Sequence, residues 1–324
     1  MRKGKWGFEN NPLPKDVSEV NQALETLGTL SLLRLISKKR VLDLDRPKLM
    51  GVLNVTPDSF SDGGKFWSFD KALEHARKMI SLGADWLDIG GESSGPGSRE
   101  ISLDEELSRV MPLIEVLRRE SEIWLSIDTW KSAVAAEAID GGVDCVNDVT
   151  ALRGDPKMAS LISRQGCALV MMFSKDSSAR TTQKMVHYDD VILTIRDFFI
   201  ERLGYASEMK IPADAIMLDP GMGHFISSDP KYSFEIIRRF SEFSELQQSM
   251  LIGPSRKSFL AKVSSGIELS PLERDFPCAA VCSIGVWNGA KVLRMHEVGQ
   301  GRQLLDTLGQ IGISGSLVKS ISKS

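Results

Sequence analysis

Cysteine is scarce and poorly placed for chemistry. The 324 residues hold four, Cys145, Cys167, Cys278 and Cys282, each inside an apolar stretch. Cys278 and Cys282 have the spacing of one helix face and no CxxC pair occurs, so buried free thiols are expected rather than zinc ligands or a redox pair. Neither charge sign dominates: 40 Lys and Arg against 43 Asp and Glu give a formal net charge of −3, which offers no basic surface for nucleic acid. Long hydrophobic runs are missing too. The most apolar stretch, Leu27–Ile36, is too short to span a bilayer and carries Arg34. The basic start Met1-Arg-Lys-Gly-Lys leads to Glu9, Asn10 and Asn11 rather than to an apolar core, unlike a secretory signal, so a cytoplasmic protein without a membrane partner is expected. There is no internal repeat, no GxxxxGK[ST], and no GxGxxG after a strand.

What the sequence does contain is a repeated punctuation. Eight short apolar runs end on or beside polar residues: Leu49–Asn54, Trp86–Gly91, Trp124–Asp128, Asp144–Asp148, Ala168–Ser174, Ala215–Asp219, Met250–Ser255 and Lys291–His296. Stretches with helical spacing follow most of them, among them Asp70–Leu82, Asp104–Arg119, Lys131–Gly141 and Pro156–Arg164. Continuous apolar strands alternating with helices predict an α/β fold of the (β/α)8 barrel type, buried on both faces of its sheet. In that fold the carboxyl ends of the strands carry the site, so Asn54, Asp88, Asp128, Asn147, Asp219, Ser255, Arg294 and His296 should meet at one mouth.

The expected layout is an amino-terminal extension over 1–39, a barrel domain over 40–312 and a flexible tail over 313–324. Apolar spacing from Val17 to Ile36 suits an amphipathic helix, which either packs on the barrel or makes a dimer contact. Arg40-Val-Leu-Asp-Leu-Asp-Arg-Pro47 reads as a strand and turn, part of a hairpin closing the barrel floor. Ser102 and Glu105 have capping-box spacing. Gly90–Gly97 and Thr56–Trp67 read as long loops over the mouth, the first mobile. His75 and His187 are expected to face solvent.

Two constellations carry chemistry. Asp128, Asn147 and Asp219 would present carboxylates and an amide to a flat heterocycle with a guanidine-like edge, because a carboxylate accepts paired N–H bonds in one plane. Helix N-capping suits Asp128 equally well, before Thr129-Trp-Lys. Metal ligation is the weaker option, with only His296 as nitrogen partner and no recognisable cage spacing. The second group, Ser255-Arg-Lys-Ser258 with Arg294-Met-His296, closes the seventh and eighth strands, where barrels of this kind grip phosphate. Plain surface charge is the alternative there.

Met50-Gly-Val-Leu-Asn54-Val-Thr-Pro-Asp-Ser-Phe-Ser-Asp-Gly-Gly64 resembles the signature of the dihydropteroate synthase family. Asp88-Ile-Gly-Gly-Glu-Ser-Ser94, Ser126-Ile-Asp128-Thr, Asn147-Asp148, Leu218-Asp219-Pro-Gly221, Ser255-Arg-Lys257-Ser258 and Arg294-Met-His296 follow in family order, from about Arg40 to Leu308. The Ser-Arg-Lys-Ser turn separates this branch from pterin-dependent methyltransferases. The resemblance implies that Asp128, Asn147, Asp219, Lys257 and Arg294 hold a pterin, and that Ser94, Pro96, Ser255, His224 and Phe225 frame p-aminobenzoate. It implies that Asn54, Arg294 and His296 take the diphosphate, with Mg²⁺ on Asn54 as cofactor. Lys257, Asn54, Arg294 and His296 would carry catalysis in a transferase of folate synthesis that acts as a homodimer on small-molecule substrates.

Three loops depart from the family pattern. Thr-Arg-Pro becomes Ser94-Gly95-Pro96, Met-His-Met becomes Met172-Phe173-Ser174, and Gly-Phe-Gly-Lys becomes Gly223-His224-Phe225-Ile226. Losing the loop arginine should remove a contact worth roughly 1.5–3 kcal/mol. The same changes resemble sulfonamide-insensitive Sul-type synthases and imply reduced sulfonamide sensitivity. A catalytically impaired pterin-binding paralogue is the competing reading. Retention of Asn54, Lys257, Arg294 and His296 favours the enzyme, since a binder has no need of a diphosphate site.

Overall fold

The computed structural model describes residues 33–38, 40–56, 69–263 and 267–313. Eight parallel strands close into a barrel: β3 (Lys48–Asn54), β4 (Trp86–Gly90), β5 (Trp124–Asp128), β6 (Cys145–Asp148), β7 (Ala168–Met172), β8 (Ile216–Asp219), β9 (Ser249–Ile252) and β10 (Val292–Met295), with β10 pairing back onto β3. Around them lie α1 (Phe69–Ser81), α2 (Leu103–Glu120), α3 (Ser132–Asp140), α4 (Met158–Gln165), α5 (Val191–Glu208), α6 (Lys231–Arg238), α7 (Asp275–Trp287) and α8 (Val298–Gln310). Every expected strand is present within three residues of its expected ends. Two stop short by more than one residue: β7 at Met172 instead of Ser174, and β9 at Ile252 instead of Ser255.

A strand turns successive side chains to opposite faces, so inward positions recur every second residue. The lowest inward layer is apolar: Met50, Trp86, Trp124, Cys145, Ala168, Val170, Met217, Leu251 and Val292 form one buried cluster. Leu35, Leu42 and Leu44 complete that cluster from below. They belong to an antiparallel hairpin of β1 (Arg34–Ser37) and β2 (Arg40–Asp43), the expected floor of the barrel. Burying each leucine stabilises the plug by roughly 1.5–3 kcal/mol. Asp144 fastens it, accepting from Arg40 at 3.2 Å and from Arg118 at 2.8 Å.

The hairpin corrects the helix expected over Val17–Ile36. Arg34–Ser37 is a strand, and the rest of that stretch lies outside the described residues. Most of the Thr56–Trp67 loop and of the tail also lies outside them. The Ser102 cap forms by half: its hydroxyl accepts from the Glu105 N–H at 3.1 Å, while the Glu105 carboxylate turns to Arg99 and Arg109. The four cysteines are buried free thiols, as expected. His187 is exposed, but His75 is half-buried and electrostatically coupled to Glu297 and Arg256, correcting its solvent-facing assignment.

Candidate functional site

Two residues above the apolar layer, the barrel interior turns polar. The period-two rule carries Trp86 to Asp88, Trp124 to Ser126, Cys145 to Asn147, Met217 to Asp219 and Val292 to Arg294. Two residues higher stand Asn54, Asp128, Ser255 and His296. Register confirms the convergence, since Asn54 pairs with Gly90, Gly90 with Asp128 and Asp128 with Asn147 across four neighbouring strands. The eight polar strand-end residues are therefore brought together as expected.

Asp88 is the hub of this layer and is wholly buried. One carboxylate oxygen accepts from Ser126 Oγ at 2.5 Å, whose own oxygen accepts from Trp86 Nε1 at 2.8 Å. The other oxygen accepts from Asn147 Nδ2 at 2.9 Å and Arg294 Nε at 2.7 Å. Arg294 then reaches Asp128 at 2.7 Å through Nη2. The guanidinium thus bridges two carboxylates, and the pairing outweighs burial and keeps it protonated. Asp128 is pushed up to about 7 by burial and by Asp88, with Arg294 opposing. Asp128 caps no helix: α3 begins after Lys131 without a side-chain cap, and Asp155 accepts from the Ser132 N–H. That settles the capping alternative.

Asp219 sits on the opposite side of the well, its pKa raised by burial and restrained by the Gly221 N–H at 2.8 Å. Gly221 is fixed by close approach. It has φ +70°, and an added Cβ would lie 2.4 Å from the Phe173 carbonyl oxygen. Lys257 rises from the β9 turn, where Arg256 is held at φ 60° with its carbonyl accepting from Arg274 Nη1 at 2.9 Å. Burial lowers Lys257 to about 8, with Asp219 and Asp128 opposing. Its ammonium stands 4.3 Å from the centre of the Phe225 ring. Phe225 itself is buried with Val149, Met172 and Ala179, and Trp130 packs against them.

At the rim, Ser255 Oγ accepts from the His296 backbone N–H at 3.2 Å and lies 3.0 Å from Nδ1. The hydroxyl and Nδ1 share one hydrogen bond whose direction follows the ring tautomer. Burial, together with Arg256, Arg294 and Lys257, lowers His296 to about 3, so the ring is neutral. Asn54 is half-buried and its Oδ1 faces Gly90.

The loop from Gly90 to Gly97, expected to be mobile, is fastened at several points. Glu92 pairs with Arg180 and Lys131 and accepts from Trp130 Nε1 at 3.3 Å. The Ser94 carbonyl accepts from the Thr181 N–H at 3.1 Å, and Arg109 Nη1 donates to the Gly91 carbonyl at 2.7 Å. A narrow cleft opens between Ser94, Asp128, Trp130, Val149 and Arg180. Pro96 is exposed at the loop tip. His224 is half-buried, and burial with Lys175 and Lys257 lowers its pKa.

Sequence reasoning singled out neither Arg180 nor Lys175, and did not give Asp88 its hub role. Asp88 was findable, standing two residues after Trp86 in an otherwise apolar strand. Arg180 and Lys175 lie in a polar loop with no periodic signal.

The arrangement is a polar well with carboxylates at Asp128 and Asp219, an amide at Asn147 and fixed cations at Lys257 and Arg294. A neutral histidine, His296, stands above it. It matches a flat, N–H-rich heterocycle carrying an anion toward the rim. Comparison with known proteins points the same way. The family model described as "Pterin binding enzyme" matches residues 50–296. The chain is 35% identical over 266 residues to the dihydropteroate synthase of Escherichia coli, covering 82% of this chain and 92% of that one. The Yersinia pestis dihydropteroate synthase, solved in complex with a sulfonamide drug, superposes with TM-score 0.80 at 33% identity, covering 86% of this chain and 99% of that one. The Xanthomonas albilineans enzyme, solved with 4-aminobenzoic acid, gives TM-score 0.79 at 34% identity over 86% of this chain and 98% of that one. With the signature motifs, the barrel and its polar upper layers in agreement, the chain belongs to the dihydropteroate synthase family of pterin-binding enzymes.

Proposed function

We propose that this barrel condenses 6-hydroxymethyl-7,8-dihydropterin diphosphate with p-aminobenzoate, giving 7,8-dihydropteroate and diphosphate. The observation carrying this reading is the polar interior layer, in which Arg294 ties Asp88 to Asp128 directly above an apolar floor. Asp128, Asn147 and Asp219 accept and donate along the pterin edge, with Lys257 and Arg294 as fixed cations around the ring. The C–O bond to diphosphate breaks with its electron pair on the leaving group. The arylamine nitrogen then attacks the methylene carbon, and the ammonium so formed passes its proton to water. A neutral aniline needs no general base, so catalysis rests on electrostatic stabilisation and positioning. We assign the neutral His296 ring the Nε2–H tautomer, in which it donates to the departing anion, and Asn54 stands on the same rim.

Mg²⁺ fits this rim in one specific way. Among the described residues no group of three His, Cys, Asp or Glu side chains is placed to hold a metal. An amide oxygen such as Asn54 Oδ1 suits the mode in which Mg²⁺ keeps waters and takes substrate phosphate oxygens. When bound, the ion supplies charge neutralisation for the diphosphate. Incubation with both substrates should yield 7,8-dihydropteroate by mass spectrometry. A chain that binds the pterin diphosphate but forms no product is the non-catalytic paralogue instead.

The finer readings concern assembly and inhibitors. On α7, Phe276, Ala280, Ile284 and Trp287 form an exposed stripe at helical spacing, with Phe276 87% and Trp287 62% exposed. We assign this stripe to a homodimer contact. Light scattering at micromolar concentration should give twice the chain mass, and Trp287→Glu should give the monomer with an unchanged melting temperature. A monomeric unaltered chain refutes the assignment.

Sulfonamides extend beyond the p-aminobenzoate carboxylate, toward loops that here carry Ser94, Gly95, His224 and Phe225. One misfitting group can discriminate by ~1–3 kcal/mol. The ratio of the sulfamethoxazole inhibition constant to the p-aminobenzoate KM should therefore exceed that of a sensitive synthase measured alongside. Equal ratios would show these departures to be neutral.

No helix among the described residues is long and apolar enough to cross a membrane.

A further inference from the structure

Lys175 is the most unusual charge outside the substrate well. Only 2% of its side chain is exposed, and its ammonium contacts four acceptors. These are Asp176 Oδ2 at 2.7 Å, Thr181 Oγ1 at 2.9 Å, and the carbonyls of Thr182 at 2.8 Å and His224 at 2.6 Å. Burying a lysine is costly unless it is paired and fully hydrogen-bonded, and an apolar residue of similar size commonly serves stability as well or better. A purely structural loop has no need of this ion.

The contacts show what the charge holds. Its own backbone N–H donates to the Phe225 carbonyl at 2.8 Å. Thr181 Oγ1, already bound to the ammonium, also donates to the His224 carbonyl at 2.8 Å. The carbonyls of the two peptides on either side of Phe225 are therefore pinned from the β7 loop. Phe225 is the residue whose ring lies beneath the Lys257 ammonium. On its other side the same loop packs Ala179 against that ring and sends Thr181 to the Ser94 carbonyl. One buried cation thus joins the loops after β7 and β8, and Thr181 beside it reaches the loop after β4.

We propose that Lys175 is a positioning residue that sets Phe225 beneath Lys257 and so fixes the wall of the substrate well. It touches no substrate in this scheme and acts through the ring. The proposal rests on the reading of the well as the pterin diphosphate site. It adds that the β8 loop, which departs from the family pattern at His224 and Phe225, has its own support in this chain.

The test is a double-mutant cycle on the full chain between Lys175→Met and Phe225→Ala, read as kcat/KM and as affinity for the pterin diphosphate. In the unaltered background Lys175→Met should lower kcat/KM by about ten- to a hundredfold, the range expected when a reacting group is misplaced by an ångström. In the Phe225→Ala background the same change should cost within about twofold, because its route to Lys257 is already gone. Lys175→Arg, which keeps the charge and the donors, should recover most of the loss. Equal losses in both backgrounds would show a general structural staple and overturn the proposal, as would no loss at all. Should Lys175→Met fail to fold, Lys175→Gln, which keeps one donor for the His224 carbonyl, carries the same cycle. Absence of turnover in the unaltered chain counts against the proposed reaction but leaves the affinity arm of the cycle decisive for Lys175.

Discussion

Lys257→Ala should lower kcat/KM for the pterin diphosphate by about 10²–10³-fold, the scale of removing one preorganised electrostatic group, while the barrel keeps its melting temperature. The residue ends on the Phe225 ring at the mouth and lies in none of the apolar core clusters. The sign of its linkage supports a stable variant. Burial holds Lys257 near 8 in the folded protein, below the ordinary value of 10.5, so the unfolded chain binds more protons between those values. Stability contributed by this group therefore rises with pH through that window, and below it the folded state carries the full cost of the buried charge. Turnover runs the other way. The cation is lost above pH about 8, so an alkaline limb is expected there and should vanish in the variant. A large fall in melting temperature for Lys257→Ala would show that the residue is structural.

Arg294→Met should be damaging on both counts. It leaves Asp88, wholly buried, and Asp128 without their shared cation. Breaking a buried pair by removing one partner costs about 3–5 kcal/mol. Arg294 opposes the rise of Asp128 above its unfolded value, so without the guanidinium that carboxyl should titrate higher still and the variant should gain stability as pH falls. Its deficit should be larger at about pH 9 than at about pH 5, where Asp128 is protonated. Chemical denaturation at those two pH values measures this directly. A pH-independent loss would mean that the arginine contributes by packing alone. Turnover should fall with it, since Asp128 loses the group that orients it.

These two residues also show how far the sequence reaches. Arg294 was findable because inward strand positions recur every second residue and a polar residue there interrupts an apolar run, whereas Lys257 stands in the turn beyond β9 and was marked by the serines and arginine around it. The role of Arg294 as a bridge was not findable. Its partners Asp88 and Asp128 lie 206 and 166 residues away, and nothing local records which cation meets which carboxylate. The spacing predicts helix through Ile36 because that residue continues the run of Leu27, Leu30 and Leu33, and the partner strand of Arg34–Ser37 decides otherwise. Lys175 stayed hidden for the opposite reason. In a stretch rich in serine, threonine and charge it reads as solvated, and its burial comes only from two loops closing over it. The fold was legible because apolar periodicity is local. The electrostatics of the well were not, because they are contacts between strand ends far apart in the chain.

The most direct measurement of the central claim is diphosphate release from 6-hydroxymethyl-7,8-dihydropterin diphosphate, with and without p-aminobenzoate, on the unaltered chain and on Lys257→Ala and Arg294→Met. The polar barrel layer as a catalytic site predicts release that accelerates with p-aminobenzoate and collapses in both variants. Tight pterin binding with no release from the unaltered chain, or release unaffected by either substitution, would contradict it.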